Sequence, residues 1–228
     1  MRKIATFAIV LAMMAIAVPS QAQLTKEQKK ERKEMSKMTK SELNSRASKT
    51  ARREAKKLKK DGWLVTPGSL PIEKQLDRSY NILYEIDENM MPKYIMGEAM
   101  SIGENYDAAK LQALELAKQN LAGQIETEVT ELVENTVANK QLSQEQAASI
   151  TQTVSASKNL ISQSLGRVLP VVEMYRVKNN KNKEVYVRLA YSTDMAMQVA
   201  KKVIKEELEK KGQDLHEELD KCLGGVCK

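Results

Sequence analysis

Between Gly97 and Val133 the chain reads GEAMSIGENYDAAKLQALELAKQNLAGQIETEVTELV, and no other stretch restricts the fold as much. Just before and into it, Tyr94–Ser101 alternates. Tyr94, Met96, Glu98 and Met100 share one face of a strand, and Ile95, Gly97, Ala99 and Ser101 share the other. That second face is small, which suits a helix lying close on the sheet. Gly103 turns the chain, and Asn105 or Asp107 can cap the next helix. On that helix Ala109, Ala113, Ala117, Leu121 and Ile125 recur every fourth residue, and Leu132 continues the apolar side. An alanine stripe brings backbone close to backbone, so its predicted role is packing on the sheet, not holding a cofactor.

The other elements follow from periodicity and turn chemistry. Pro71 suits the first turn of a helix that places Ile72, Leu76, Leu83 and Ile86 on one side and closes at Met91-Pro92. Ser143-Gln144-Glu145-Gln146 matches a capping box, opening a helix with Ile150, Val154, Ile161 and Leu165 on its buried side. Val168–Lys178 and Glu184–Tyr191 then read as two strands across the polar turn 179–183, with Pro170 marking an edge or a bulge. Thr193 and Asp194 start a last helix using Met195, Val199, Val203 and Ile204, and Gly212 interrupts it. Trp63, in the apolar triplet Trp63-Leu64-Val65, reads as a plug at the edge of the core. The order helix, strand, long helix, helix, hairpin, helix predicts an α+β fold. A small, mainly antiparallel sheet is covered by helices on one face and preceded by a basic helical arm.

The N-terminus has the pattern of a secretory signal peptide. Arg2 and Lys3 precede the apolar run from Ile4 to Val18, and Ser20-Gln21-Ala22 offers a cleavage site. The expected organisation is a signal peptide over 1–22, a helical or disordered basic arm over 23–60, an α+β domain over 61–211 and a tail over 212–228. Export predicts a periplasmic location, peripheral to the outer membrane if the arm attaches there. In an oxidising compartment Cys222 and Cys227, separated by Leu-Gly-Gly-Val, read as a small structural disulfide; free thiols or a metal or redox pair are the alternatives. Phe7, the single Phe, lies in the leader, so the core must be built from Leu, Ile, Val, Met and Ala, enough for one modest domain.

Charge is unevenly spread. From Lys26 to Lys60 there are 15 Lys and Arg against 5 Asp and Glu, whereas the chain from Asp61 onward is mildly acidic. Leu43, Ala47, Ala51, Ala55 and Leu58 make a narrow stripe in the arm, too weak to drive membrane insertion. The arm therefore reads either as a solvated helix or as an electrostatic attachment to an anionic surface. Lipid headgroups, lipopolysaccharide and cell-wall polymer are candidates, and so is a protein partner. The residues that would carry such contacts are Lys29, Lys30, Arg32, Lys33, Arg52, Arg53, Lys56, Lys57, Lys59 and Lys60. Nucleic acid is not expected, because of export and because no aromatic residue lies in the arm to stack on bases.

The run GEAMSIGENYDAAKLQALELAKQNLAGQIETEV resembles the central signature of the twenty-kilodalton lipoprotein family of bacterial envelopes. Shared features are the Gly-containing strand end, Ala-rich helix residues at helical spacing and an aliphatic-Ala segment running into an I-x-x-x-V continuation. Trp63 upstream and the strand KEVYVRLAYS downstream extend the resemblance over roughly residues 61–200. It implies an envelope-associated, non-enzymatic protein, sometimes linked with the outer membrane or flagellar assembly. Members are often lipidated at a Cys, and this chain has no Cys near its leader.

Catalytic patterns are scarce. His216, the only His, lies in a charged segment that reads as solvated. Glu126, Glu128, Glu131 and Glu134 read as a solvated acidic face on one helix. GEAMSIGE lacks the third glycine and the phosphate-binding Lys of a nucleotide loop. No catalytic residue, metal ligand or cofactor is predicted. The expected function is an exported, non-enzymatic binding or structural module, and the disfavoured alternative is a periplasmic enzyme using carboxylate chemistry.

Overall fold

The computed structural model describes residues 45–223, except positions 89, 140, 179 and 180, together with the isolated positions 30, 33, 34 and 37. The expected signal peptide, most of the arm and Cys227 lie outside the described residues. Within residues 45–223, six helices and three strands run in the order α1 (Lys49–Lys60), α2 (Ile72–Leu83), β1 (Tyr94–Gly103), α3 (Tyr106–Ala138), α4 (Gln144–Ser164), β2 (Leu169–Val177), β3 (Lys183–Ser192), α5 (Thr193–Lys210) and α6 (His216–Leu223). The sheet order is β1-β3-β2 and both pairings are antiparallel. The fold is α+β. No described helix is long and apolar enough to cross a membrane.

The alanine stripe does what its spacing demands. Ala109, Ala113 and Ala117 are fully buried against Val185, Val187 and Leu189 of the central strand. A Cβ on Gly97 would stand 2.3 Å from the carbonyl oxygen of Ala117, and one on Gly103 would stand 2.7 Å from the amide of Ala109. The helix therefore rides directly on β1, and only glycine leaves room for it. Asn105 caps α3, its side chain accepting from the Ala108 amide at 2.9 Å. Beyond Leu121 the same face of α3 leaves the sheet. Ile125, Val129 and Val133 pack with Ile150, Val154 and Ile161 of α4, Met197 and Ile204 of α5, and Leu219 and Leu223 of α6. Each such fully buried aliphatic side chain contributes about 1.5–3 kcal/mol by leaving water. The capping box of α4 is present, with Ser143 and Gln146 bonded to each other's backbone amides. Pro170 marks a bulge, as the register of β2 against β3 shifts between Pro170 and Val172.

Several expectations need correction. Helices cover both faces of the sheet: α3 lies on one, while α1 and α2 pack Ala51, Ala55, Ile72 and Leu76 against Val172, Met174 and Ala190 on the other. The compact unit begins at Arg46, not at Asp61. The weak stripe Ala47, Ala51 and Ala55 is its reason, because small residues let α1 lie close on α2. The stretch from 212 on is no loose tail either, since α6 buries Leu219 and Leu223 and joins Asp220 to Lys201 and Lys205 of α5 at 3.0 and 2.8 Å. Leu83 and Ile86 are exposed, because α2 ends at Leu83 and the chain turns through Met90 at φ 65°. On α5 the buried row is Ala196, Met197, Ala200, Val203, Ile204 and Leu208, with Met195 exposed. The helix leaves β3 directly at Thr193, and that exit fixes which row faces α3.

Candidate binding surface

Helix α1 begins at Ser48, whose hydroxyl accepts from the Ala51 amide at 3.2 Å. It ends with Lys57, Lys59 and Lys60 in its last turn, where cations suit the helix dipole, and Gly62 leaves it at φ 84°. Ala47, Ala51 and Ala55 face inward. Three contacts fix the helix on α2: Ser48 N–H donates to Asp77 Oδ1 at 3.0 Å, Lys59 pairs with Glu73 at 2.8 Å, and the Tyr80 hydroxyl donates to Glu54. Burial and the Glu54 carboxylate push the Tyr80 hydroxyl up to about 12. The hydrogen bond from Lys59 holds Glu73 below the usual carboxylate range.

The predicted cations divide into three groups. Lys29 and Arg32 lie outside the described residues; Lys30 and Lys33 are exposed helical positions before the compact unit. Arg52 and Lys59 are committed within the domain, Arg52 donating from Nε to the Ala47 carbonyl at 3.0 Å. Arg53, Lys56, Lys57 and Lys60 are exposed and make no ion pair among the described residues. Their i, i+3, i+4, i+7 spacing places them in one row on the solvent side of α1. Lys49, one turn earlier and also exposed, extends that row; sequence reasoning omitted it, although the same four-residue spacing points to it.

A second polar cluster lies on the same side of the sheet. Trp63 is buried, with the Arg176 guanidinium 4.7 Å above its ring and the Tyr186 ring edge-on at 6.4 Å. Arg176 also donates to Glu184, which Lys178 approaches at 3.6 Å. On β1, Glu98 accepts from the Tyr186 hydroxyl at 2.5 Å and from Arg188 Nε at 2.8 Å, and Arg188 also donates to Ser79 Oγ at 2.9 Å. Burial favours the neutral acid at Glu98, but the bonds from Tyr186 and Arg188 outweigh it and keep the carboxyl below its usual range. Each charged group in this cluster has an opposite partner, with Arg176 and Lys178 sharing Glu184 and Arg188 paired with Glu98, which suits packing.

Of the four glutamates expected to form an acidic face on α3, Glu126 stands 3.6 Å from Lys158, and Glu131 and Glu134 are exposed. Glu128 departs from the expected solvated face. It is half-buried, and burial together with the Glu131 charge pushes its carboxyl up. His216 opens α6 half-buried, with Nε2 3.5 Å from Glu209 Oε1, too long for a hydrogen bond. Cys222 is buried with a free thiol, and burial pushes that thiol up, which makes it a poor nucleophile. Its expected disulfide partner, Cys227, lies outside the described residues. A groove of about 670 Å³ between α3 and α4 is lined chiefly by Val133, Val137, Ala147, Ala148 and Thr151, with Glu134 its one ionisable side chain. Among the described residues no three His, Cys, Asp or Glu stand together as metal ligands. Compared with known protein families, curated proteins and solved structures, the chain shows no match.

Proposed function

We propose that this protein is an exported, non-enzymatic binding module of the cell envelope, held at an anionic surface by the cation row of α1. One observation carries the reading: Lys49, Arg53, Lys56, Lys57 and Lys60 stand in a single row on a helix whose other side is fixed to the domain. Five cations on a rigid support meet an anionic plane together, without the ordering entropy that a loose arm must lose. Each Lys or Arg near such a surface contributes about 1 kcal/mol, and the attraction fades within a Debye length. The leader at 1–22 and the resemblance to the envelope lipoprotein family support the compartment.

The test is co-sedimentation of the purified protein with vesicles of neutral phospholipid, vesicles containing phosphatidylglycerol, and lipopolysaccharide aggregates, at low and high salt. Binding to the anionic preparations alone, released by salt and lost when the five cations are changed to Gln, is the expected result. Equal binding to neutral vesicles, or binding by the five-fold Gln variant at wild-type strength, overturns the reading. The two anionic preparations separate a lipid headgroup from a saccharide phosphate.

A further inference from the structure

Among the described residues the sheet has one closed edge and one open edge. The Thr193 amide donates to the Lys93 carbonyl just beyond the end of the β1–β3 ladder. The Lys93 amide itself turns to the Glu85 carbonyl, but the one bond from Thr193 sets the parity of the ladder, so Ile95, Gly97, Ala99 and Ser101 bond to β3. Met96, Glu98, Met100 and Ile102 then direct both backbone groups away from the sheet. Among the described residues only the Glu98 carbonyl is met, by Asn120 Nδ2 at 2.7 Å.

We propose that the outer edge of β1 is a strand-addition site that takes one extended, uncharged segment of a partner polypeptide. Natural edge strands are blunted by shortness, by proline, by a bulge or by lysine. β1 is ten residues long, keeps unbroken register with β3, and contains neither Pro nor Lys. Its one charge, Glu98, is neutralised by Arg188, and Lys158 beyond the edge is matched by Glu126. The edge therefore offers no net charge for a partner to match. Met100 and Ile102, about half exposed, offer apolar contact to alternate side chains on one face of an added strand. Asn120, Gly123, Gln124 and Lys158 form the other wall of a groove of about 400 Å³ beside Met96, Gly97 and Glu98. A peptide gains affinity from the backbone bonds and specificity from these alternate contacts.

The position of α3 argues for a lone strand over a second copy. The helix sits on β1 with backbone in contact at Gly97, and Asn120 reaches the outer edge. Adding β1 of another copy at the strand spacing of about 4.8 Å brings two α3 helices onto the same face. Helices pack at about 8–10 Å, so the two would crowd each other. An extended segment brings no helix.

The test selects ligands by phage display from short peptides that alternate apolar and uncharged polar residues, using the purified protein as target. Selected peptides are expected to slow amide exchange at Met96, Glu98, Met100 and Ile102. Copies N-methylated at alternate residues should bind at least about tenfold more weakly, a loss of about 1.4 kcal/mol. Met100→Pro removes only an outward N–H and is expected to keep the wild-type melting temperature while losing peptide binding to the same degree. If that variant melts early, the N-methylated peptides carry the test, because they leave the protein unchanged. No selected peptide, undiminished binding after N-methylation, or protection elsewhere overturns the proposal. Protection of the same amides by the protein's own concentration, without peptide, replaces the lone strand with a second copy.

Discussion

At the β2 margin of the sheet, Tyr175 exchanges both backbone bonds with Leu64, at 2.7 and 2.8 Å, and the Glu173 amide donates to the Gln75 side chain at 2.7 Å. Pro170 and the bulge after it blunt the start of the strand. At the β1 margin one side chain, Asn120, meets one carbonyl. The two strands have nearly equal lengths and share the same central neighbour, so length and pairing do not explain the contrast. What differs is the chain running alongside. The segment after α1 passes β2 on its way to α2, and Trp63 anchors it from below the sheet. β1 instead receives α3 from above, through glycines, and α3 covers its face while leaving its edge. A face is closed by burying apolar area. An edge is closed only by directed hydrogen bonds, so the first does not bring the second.

The largest expected effect tests the closed side. Trp63→Ala should cost about 3–5 kcal/mol in chemical denaturation, as expected for emptying a buried indole site. It should also speed exchange of the Leu64 and Tyr175 amides more than those of Ile95 and Gly97. Equal acceleration at both margins would mean that Trp63 does not anchor the β2 edge in particular.

Gly97→Ala tests the open side's face. The new methyl meets backbone, which cannot swing away, and a cost of about 3 kcal/mol is expected. Gly123→Ala is the control. There the methyl meets only the mobile end of Lys158, and replacing a mid-helix glycine should stabilise by about 0.5–1 kcal/mol. If both variants melt alike, β1 is not held by close approach of α3.

Gln75→Met and Asn120→Ala compare the two edge fastenings directly. Gln75 is buried, so its loss strands the Glu173 amide and the Leu70 carbonyl it also binds, at about 1–2 kcal/mol. Asn120 is exposed and water can replace it, so less than about 0.5 kcal/mol is expected. Equal costs in thermal melts would show that the β1 edge is shielded from water after all.

The smallest effect is electrostatic. The Glu98 carboxyl titrates lower when folded than unfolded, so its contribution is complete above the unfolded value and disappears as pH falls through the folded one. Glu98→Gln should therefore lose about 0.5–1 kcal/mol at neutral pH, the ordinary worth of a half-exposed pair. The difference from wild type should vanish in acid. A difference that persists at low pH would mean that shape, not charge, matters at that position.

Local patterns in the chain carried much of this fold. The β1 alternation, the fourfold alanine spacing of α3, the Ser143 capping box and the Pro170 bulge are properties of neighbouring residues, and each is present. The cations of α1 were legible as a composition, yet their sorting was not. Arg52 is held by the Ala47 carbonyl and Lys59 by Glu73 of α2, while Lys49 joins the outer row. The stripe of Ala47, Ala51 and Ala55 is too weak to drive membrane insertion, since an alanine face gains little from leaving water, and nothing local marks it as part of the core. It packs because a matching surface brings backbones close.

By itself, then, the sequence determined the α+β class, the order of its elements and the seat of α3 on β1, because period and small side chains act within a few residues of one another. Long-range packing settles that α1 and α6 belong to the core, which row of α5 faces inward, and that, among the described residues, one sheet edge is fastened while the other stands open. Those outcomes depend on partners far away in the chain, such as Leu64 for Tyr175 and Gln75 for Glu173. No local pattern marks a residue for a partner that only the fold brings within reach.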